Sequence, residues 1–170
     1  ARIHLAPGLD AWVRDALVEG QGSMRASLLG LVPLVHAAGT PGLAAGALHR
    51  YLSESFWFPT ALLPENGVIW EAVDDLTARV TLADTGSRVS LLVHFGADGL
   101  PSRLDTPERF RDVHGVPTPT PWRVQFRRWE GRGPFLVPVE ADVEWVLPAG
   151  AFPYWRGVID FAAYEPFAAL

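Results

Sequence analysis

Cysteine and lysine are both absent from this chain of 170 residues, and each absence excludes a class of chemistry. Without cysteine there can be no disulfide, thiol nucleophile or thiolate metal ligand. Without lysine there can be no Schiff base and no phosphate-binding P-loop lysine. The net charge is −5, and no basic block occurs among the arginines. We therefore expect no nucleic-acid partner, because phosphate neutralisation needs clustered cations.

Long hydrophobic runs are also missing. The longest apolar stretch, residues 28–38, contains Gly30, Pro33 and His36 and is shorter than the roughly 20 residues that a membrane helix needs. We expect no transmembrane segment in this chain. The chain starts at Ala1 without methionine and inside a strand-like pattern, which predicts upstream processing or truncation. Both a cytoplasmic and an exported location stay open.

The residues that are abundant predict one folded domain over residues 1–170. Hydrophobic residues make up 49% of the chain and seven tryptophans occur, which excludes a disordered chain. Fifteen prolines and sixteen glycines are too many for a helical bundle. They are typical of short strands separated by turns.

One segment carries the spacing of a helix. Thr40 and Pro41 have the residue types of an N-cap and a first helical position. Apolar residues then recur at intervals of three and four, which predicts the main helix over about residues 41–57. Pro59 ends that helix, and residues 59–63 are expected to form one further turn.

Most of the remaining chain alternates apolar and polar residues, as half-buried strands do. Strands are predicted at residues 12–19, 24–35, 76–82, 89–95 and 154–164, and the clearest strand pattern is at residues 139–145. The segment 101–121 is rich in proline and charge, which predicts a long exposed loop or a ragged edge strand. The arrangement is an antiparallel meander with one helical insertion, which belongs to the α+β class.

A hairpin is predicted at residues 131–133, where glycines flank an arginine. It would place Arg123 opposite Glu144. It would likewise place Arg127 opposite Glu140. Cross-strand ion pairs of this kind contribute about 0.2–1 kcal/mol each.

The densest motif is Arg50-Tyr51-Leu52-x-Glu54-x-x-Trp57-x-Pro59-Thr60-Ala61-Leu62, followed by Trp70 and Asp74. Other matching segments are Pro121-Trp122, Glu144-Trp145-x-Leu147-Pro148 and Tyr154-x-Arg156. Over most of residues 1–164 the chain resembles a bacterial domain-of-unknown-function family, numbered 6544, which has no established activity. The chain departs from it at Arg123, where relatives tend to have glycine. Members usually carry further sequence upstream, in line with the predicted truncation.

The resemblance implies a fold similar to the lipoprotein-carrier-like half-barrels. In such folds a curved antiparallel β-sheet wraps around helices and encloses an apolar cavity. Here the sheet would surround one main helix and a short further turn of helix. Fold alone does not fix an activity.

The predicted ligand-binding residues are Arg50, Tyr51, Glu54, Trp57, Phe58, Leu62, Trp70, Trp122 and Trp145. Arg50 and Glu54 are four residues apart and form either an exposed ion pair or, if buried, an anchor for a ligand carboxylate or an acid/base group. The tryptophans either fill the core or line an apolar cavity.

Catalytic motifs are sparse. The candidate acid/base residues are Glu54, Asp74 and His94. The five histidines lack metal-ligand spacing, and neither a nucleophile elbow nor a dinucleotide cradle occurs. We therefore expect no metal and no cofactor.

The leading hypothesis is a non-enzymatic domain that binds a hydrophobic or amphipathic, lipid-like molecule in a cavity between sheet and helix. Arg50, or another buried arginine, would anchor the polar head group of this ligand. A second hypothesis is a cofactor-independent enzyme that acts on an apolar substrate. A third is a structural or protein-interaction domain with a packed core and an unidentified partner.

Overall fold

The computed structural model describes residues 2–6, 9–18, 21–29 and 32–164, and this part of the chain forms two antiparallel sheets. The smaller sheet has four strands in sequence order: β1 (Arg2–Ala6), β2 (Leu9–Val18), β3 (Gln21–Leu28) and β4 (Val32–Ala38). The strand predicted at residues 12–19 lies within β2 as far as Val18. Ala1 and Glu19 are outside the described residues.

The single strand predicted at residues 24–35 is wrong, because the chain reverses inside this segment. Leu29 follows β3 with a left-handed φ of 53°, and β4 then runs antiparallel to β3. Ala26 lies opposite Val35 in this pairing. Local sequence does not indicate this turn, because the chain is apolar on both sides of it.

The main helix, α1 (Pro41–Glu54), begins as its local signals predict. The hydroxyl of Thr40 accepts a hydrogen bond from the backbone N–H of Leu43 at 3.2 Å, and proline occupies the first turn. α1 continues as a 3₁₀ helix over Ser55–Trp57, which confirms a helical segment over residues 41–57. A separate 3₁₀ turn at Pro59–Leu62 confirms the further turn. No helix of the described residues is long and apolar enough to span a membrane.

The larger sheet contains seven strands: β5 (Ile69–Asp74), β6 (Thr77–Asp84), β7 (Ser87–Phe95), β8 (Pro101–Val113), β9 (Val116–Arg132), β10 (Phe135–Leu147) and β11 (Gly150–Val158). Neighbouring strands are consecutive in the sequence and antiparallel, and β5 and β11 are the two edges. The sheet is therefore open. These elements confirm an α+β fold with a mostly antiparallel sheet and one main helix.

For residues 101–121 the alternative of a loop is wrong, because this segment forms β8 and the first part of β9. The alternative of an edge strand is confirmed in part, since β8 pairs with β7 only as far as Asp105. Pro117, Pro119 and Pro121 occupy alternate positions of β9. In that part β9 pairs with β8, and its pairing with β10 starts only at Trp122. The missing N–H groups can therefore point away from β8 without breaking a ladder.

The predicted hairpin is present between β9 and β10, with one register correction. Arg123 lies opposite Glu144 and forms an ion pair with it at 3.3 Å, as predicted. Arg127 does not lie opposite Glu140, because a bulge in each strand shifts the pairing, so that Glu140 lies opposite Arg128. It bonds instead to Asp142, with 2.8 Å between Nε and the carboxylate oxygen.

The final strand, predicted at residues 154–164, begins and ends earlier in the structure. β11 starts at Gly150, whose φ of 119° suits the turn after β10, and it ends at Val158. Tyr164 lies beyond the strand and donates its hydroxyl hydrogen to the backbone oxygen of Trp57 at 2.7 Å.

α1 contacts both sheets, namely β2 and β3 of the smaller sheet and β6 to β9 of the larger one. Its apolar face meets buried side chains of the larger sheet in one hydrophobic core, whose members include Leu48, Leu52, Phe56, Val80, Leu91, Val93, Leu104, Val124 and Phe126. Gly42 allows a close approach to β8, because a Cβ atom at this position would lie 3.2 Å from the ring of Phe110. The start of α1 is therefore held against the second half of β8.

Candidate functional site

Arg109 on β8 is the centre of a polar and aromatic contact next to α1. Its guanidinium carbon lies 4.5 Å from the ring centroid of Trp122, within cation–π range. Its Nη1 donates to the hydroxyl of Tyr154 at 3.0 Å, and its Nη2 makes a long contact of 3.5 Å with the backbone oxygen of Gly46. The buried indole N–H of Trp122 donates to the same Tyr154 hydroxyl at 2.9 Å.

Arg111, two residues further along β8, converges on the same region. The guanidinium carbons of Arg109 and Arg111 lie 5.6 Å and 5.8 Å from the ring centroid of Trp145. Trp145 also stacks on Tyr154, with centroids 5.7 Å apart and ring planes 20° apart. We call Arg109, Arg111, Trp122, Trp145 and Tyr154 the arginine–tryptophan cluster. Two cations in it share one indole ring.

The two guanidinium groups lack acidic partners in the described part of the chain. The ion pairs there involve other arginines and a histidine, and neither Arg109 nor Arg111 takes part in one. The Nε atoms of both residues are buried and have no hydrogen-bond partner. The cluster therefore carries excess positive charge and unused N–H donors.

A β-bulge in β11 makes the cluster continuous with further aromatic rings. The pairing of β10 with β11 shifts after Val143, so Tyr154 is an extra residue. Tyr154 contacts Trp145, and its neighbour Trp155 contacts Trp57 with centroids 6.2 Å apart. In a regular strand adjacent side chains would point to opposite faces. We call Trp57, Trp145, Tyr154 and Trp155 the aromatic row.

His49 on α1 adds a buried polar group beside the cluster. It is 2% exposed, and its Nδ1 lies 3.0 Å from the backbone oxygen of Ala45. Its Nε2 lies 3.4 Å from the hydroxyl oxygen of Thr106. Burial and the nearby charge of Arg109 lower the pKa of His49 to about 4. The imidazole is therefore neutral at pH 7, with Nδ1–H donating to the carbonyl.

The predicted residues on α1 lie apart from this cluster. Arg50 and Glu54 form an ion pair at 3.5 Å, and their side chains are 33% and 48% exposed. The pair is therefore partly solvated rather than buried under the sheet. Tyr51 and Phe58 are also exposed.

The four predicted tryptophans lie in three places. Trp122 and Trp145 belong to the arginine–tryptophan cluster, whereas Trp57 belongs to the aromatic row and donates its indole N–H to the backbone oxygen of Pro138 at 2.7 Å. Trp70 on β5 donates to the backbone oxygen of Leu62 at 2.9 Å. Trp70 and Leu62 therefore contact each other outside the cluster.

Two of the three candidate acid/base residues are joined through Thr77. Asp74 accepts the backbone N–H of Leu76 at 2.9 Å, and this hydrogen bond, followed by that from the Thr77 hydroxyl, lowers the pKa of Asp74. The Thr77 hydroxyl oxygen lies 3.4 Å from Nδ1 of His94. His94 Nε2 lies 3.1 Å from a carboxylate oxygen of Asp105. Glu54 is not part of this chain of contacts.

A charged cleft of about 490 Å³ lies beside the aromatic row. Its lining residues are Arg127, Asp142, Glu144, Pro153, Tyr154, Trp155 and Arg156. Hydrogen bonds from Arg156 and then Arg127 lower the pKa of Asp142 to about 2, so that this carboxylate is ionised at neutral pH. The cations in this cleft therefore have acidic partners, unlike those of the arginine–tryptophan cluster.

Arg109, Arg111, Tyr154, Trp155 and His49 were not predicted as site residues. The two arginines lie in the segment for which the sequence predicts an exposed loop or a ragged edge strand. The spacing of Arg109 and Arg111 by two residues is the pattern that could have placed them together, because it indicates one face of a strand. Tyr154 appeared only as part of a family motif, and nothing in its local sequence indicates the bulge.

Comparisons with known proteins give a family but no activity. A family model described as a family of unknown function, DUF6920, matches residues 1–164. Its number differs from that of family 6544, which the sequence motifs resemble, and both families are uncharacterised. No curated protein and no solved structure matches the chain.

Proposed function

Because the chain belongs to DUF6920, a family of unknown function, we propose a function from its own geometry. The domain binds a hydrophobic or amphipathic, lipid-like small molecule along the aromatic row. This position is the rim of the contact between helix and sheet. The centre of that contact is filled by interlocked side chains, since Leu48, Leu52 and Leu104 are at most 1% exposed.

The observation that carries the proposal is the exposure of adjacent aromatic rings. Tyr154 and Trp155 are 45% and 43% exposed, although each contacts a tryptophan that packs on the core. Phe152, on the same strand, is 55% exposed. Rigid aromatic rings side by side offer apolar contact area with little loss of side-chain entropy. The row therefore suits an extended apolar ligand.

We further propose that the larger sheet is a curved half-barrel similar to those of lipoprotein carriers. Seven antiparallel strands with two open edges, and α1 packed on β6 to β9, support this shape. The likeness concerns architecture, and the ligand class is argued from the aromatic row.

The size of the ligand follows from the energetics of association. A micromolar Kd corresponds to about −8 kcal/mol. Association itself costs at least about 4 kcal/mol in lost freedom. At about 0.8 kcal/mol per buried CH₂, roughly 15 methylene groups are needed to offset both. Long-chain molecules are therefore the appropriate probes.

Native mass spectrometry and thermal unfolding test the proposal. We expect tetradecanol to bind with one-to-one stoichiometry and to raise the Tm, and a co-purified apolar molecule to appear in the untreated protein. Trp155→Ala should weaken this binding, because it removes one of the two rings in the contact between Trp57 and Trp155. Val116→Ala, which removes an exposed apolar side chain from β9, should not. Failure of tetradecanol and other long-chain compounds to bind would leave a packed structural domain.

The second candidate is a cofactor-independent enzyme, favoured by the position of Thr77. Its hydroxyl lies next to His94, which in turn contacts Asp105, an order that matches nucleophile, base and orienting acid. Esters of p-nitrophenol with increasing chain length would test it. Turnover that is lost in His94→Ala and retained in His114→Ala, a change at an exposed histidine, would favour an enzyme. We expect no turnover if the domain only binds its ligand.

A further inference from the structure

We propose that the arginine–tryptophan cluster recognises an anionic head group, a carboxylate or a phosphate, at the end of the ligand's apolar body. This inference rests on the proposed function for the apolar part of the ligand. It adds the chemistry of the head and the residues that hold it.

The first argument is charge. Most other arginines of the larger sheet have acidic partners, as in the contacts of Arg123 with Asp105 and of Arg127 with Asp142. Arg109 and Arg111 converge on Trp145 without such a partner in the described residues. Two like charges near one ring repel each other, and the repulsion grows as water is excluded. An anion between them would offset both charges.

The second argument is hydrogen bonding by the arginines. A guanidinium group has five N–H donors and no acceptor. Nε of Arg109 and Nε of Arg111 are both buried without a partner, and Nη2 of Arg109 makes only a long contact with Gly46. Oxyanions accept two hydrogen bonds from one guanidinium in a planar fork. A carboxylate or phosphate therefore supplies acceptors that these guanidinium groups lack, and it would meet them from the Nη side, because the Nε atoms are buried.

The third argument is the tyrosine hydroxyl. Tyr154 accepts one hydrogen bond from Trp122 and one from Arg109. Since a phenol has two acceptor positions and a single hydrogen, the O–H of Tyr154 is left to donate. Its bond with Arg109 lies at the exposed surface of the protein. An anion can therefore approach from solvent and meet Tyr154 and Arg109 together.

The location also suits an amphipathic ligand. Tyr154 belongs both to the cluster and to the aromatic row. When Arg109 binds the head group, the apolar body of the ligand would therefore lie along Trp155. His49 on α1, whose pKa is lowered by burial and by the charge of Arg109, is uncharged at neutral pH and therefore adds no further positive charge to the cluster.

Isothermal titration at pH 7.5 with four probes tests the inference: tetradecanoate, tetradecyl phosphate, tetradecanol and inorganic phosphate. We expect at least one of the two long-chain anions to bind about tenfold or more tightly than tetradecanol, which corresponds to about 1.4 kcal/mol. The ratio of the affinity for the long-chain anion to that for tetradecanol should fall to about one in Arg109→Gln and in Arg111→Gln. Arg79→Gln, at an exposed position of β6, should keep it.

The outcomes separate the head group from the ligand as a whole. Equal affinities for tetradecanol and both long-chain anions would overturn the inference and leave the proposed function standing. Inorganic phosphate that binds as tightly as tetradecyl phosphate, together with no binding of tetradecanol, would uphold the anion site and overturn the proposed function. Failure of all four probes would overturn both. Circular dichroism shows whether Arg109→Gln is folded. If it is not, Arg111→Gln decides, because it removes no hydrogen bond within the described residues.

Discussion

Trp122 on β9 donates its indole N–H to the hydroxyl of Tyr154 on β11, across the intervening strand β10. Trp122 is 2% exposed, whereas Tyr154 is 45% exposed. The bond therefore joins a core side chain to the surface row. Because a buried indole N–H needs an acceptor, the bulge that presents Tyr154 serves the stability of the core as well as the shape of the site.

Tyr154→Phe should lower the free energy of unfolding by about 1–3 kcal/mol, because the indole N–H of Trp122 loses its acceptor. Urea denaturation followed by tryptophan fluorescence measures the change. Tyr51→Phe is the matched control, since Tyr51 is 52% exposed on α1 and its change should stay within about 0.5 kcal/mol. A loss as small as that of the control would show that the bond has no structural role.

His49 should make the stability depend on pH between about 6.5 and about 4. Its ordinary pKa is 6.5 and the folded protein lowers it to about 4, so the unfolded chain binds more protons in this window. The contribution of His49 to the free energy of unfolding is therefore complete above pH 6.5. It falls as the pH decreases toward 4, by up to about 3 kcal/mol. Urea midpoints measured from pH 7.5 to pH 4 give the slope.

The control for this pH dependence is a neutral replacement. His49→Gln should flatten the slope between pH 6.5 and pH 4, whatever its effect at pH 7.5. His114→Gln, at an exposed turn, should leave the slope unchanged. An equally steep slope in the His49→Gln protein would assign the dependence to other groups.

The elements that local sequence determines were predicted correctly. Thr40 and Pro41 specify the start of α1 through one cap and one fixed φ angle, and neither depends on distant residues. The pair of Arg123 and Glu144 was also predicted, because a short hairpin sets its register. The pairing of β8 with the proline-rich start of β9 was not predicted, since prolines are tolerated in a sheet only where no further strand needs their N–H, and this depends on the whole sheet.

The candidate site shows the same division. Trp122 and Trp145 were named from their residue type, whereas Arg109 and Tyr154 were not. Their meeting depends on the register of four strands, on the bulge in β8 between Thr106 and Arg109, and on the bulge in β11. A one-residue slip would turn each of these side chains to the other face of the sheet. Local patterns do not contain this information.

Asp142→Asn should lower the free energy of unfolding at pH 7 by about 1–3 kcal/mol, because one carboxylate holds both Arg127 and Arg156. The value is modest because both arginines are largely exposed to water. The pKa of Asp142 falls from 3.8 to about 2 in the folded state, so its contribution is complete above 3.8 and is lost as the pH falls through 2.

Urea titrations of both proteins at several pH values check this prediction. The difference between them should narrow from pH 4 to pH 2. Asp75→Asn, at an exposed turn, is the control and should leave stability nearly unchanged at every pH. A difference that stays constant down to pH 2 would mean that the charge of Asp142 is not what the arginines stabilise.

Two glycines of α1 should respond differently to alanine. At Gly46 the nearest atom to a new Cβ is the backbone oxygen of Phe110 at 3.9 Å, an ordinary contact. Gly46→Ala should therefore raise the free energy of unfolding by about 0.5–1 kcal/mol through helix propensity. At Gly42 the new Cβ would lie 3.2 Å from the ring of Phe110 and 3.4 Å from Pro117, so crowding should cancel or outweigh this gain. Urea denaturation of both variants decides, and equal stabilisation would show that α1 does not press on β8 as closely as these distances require.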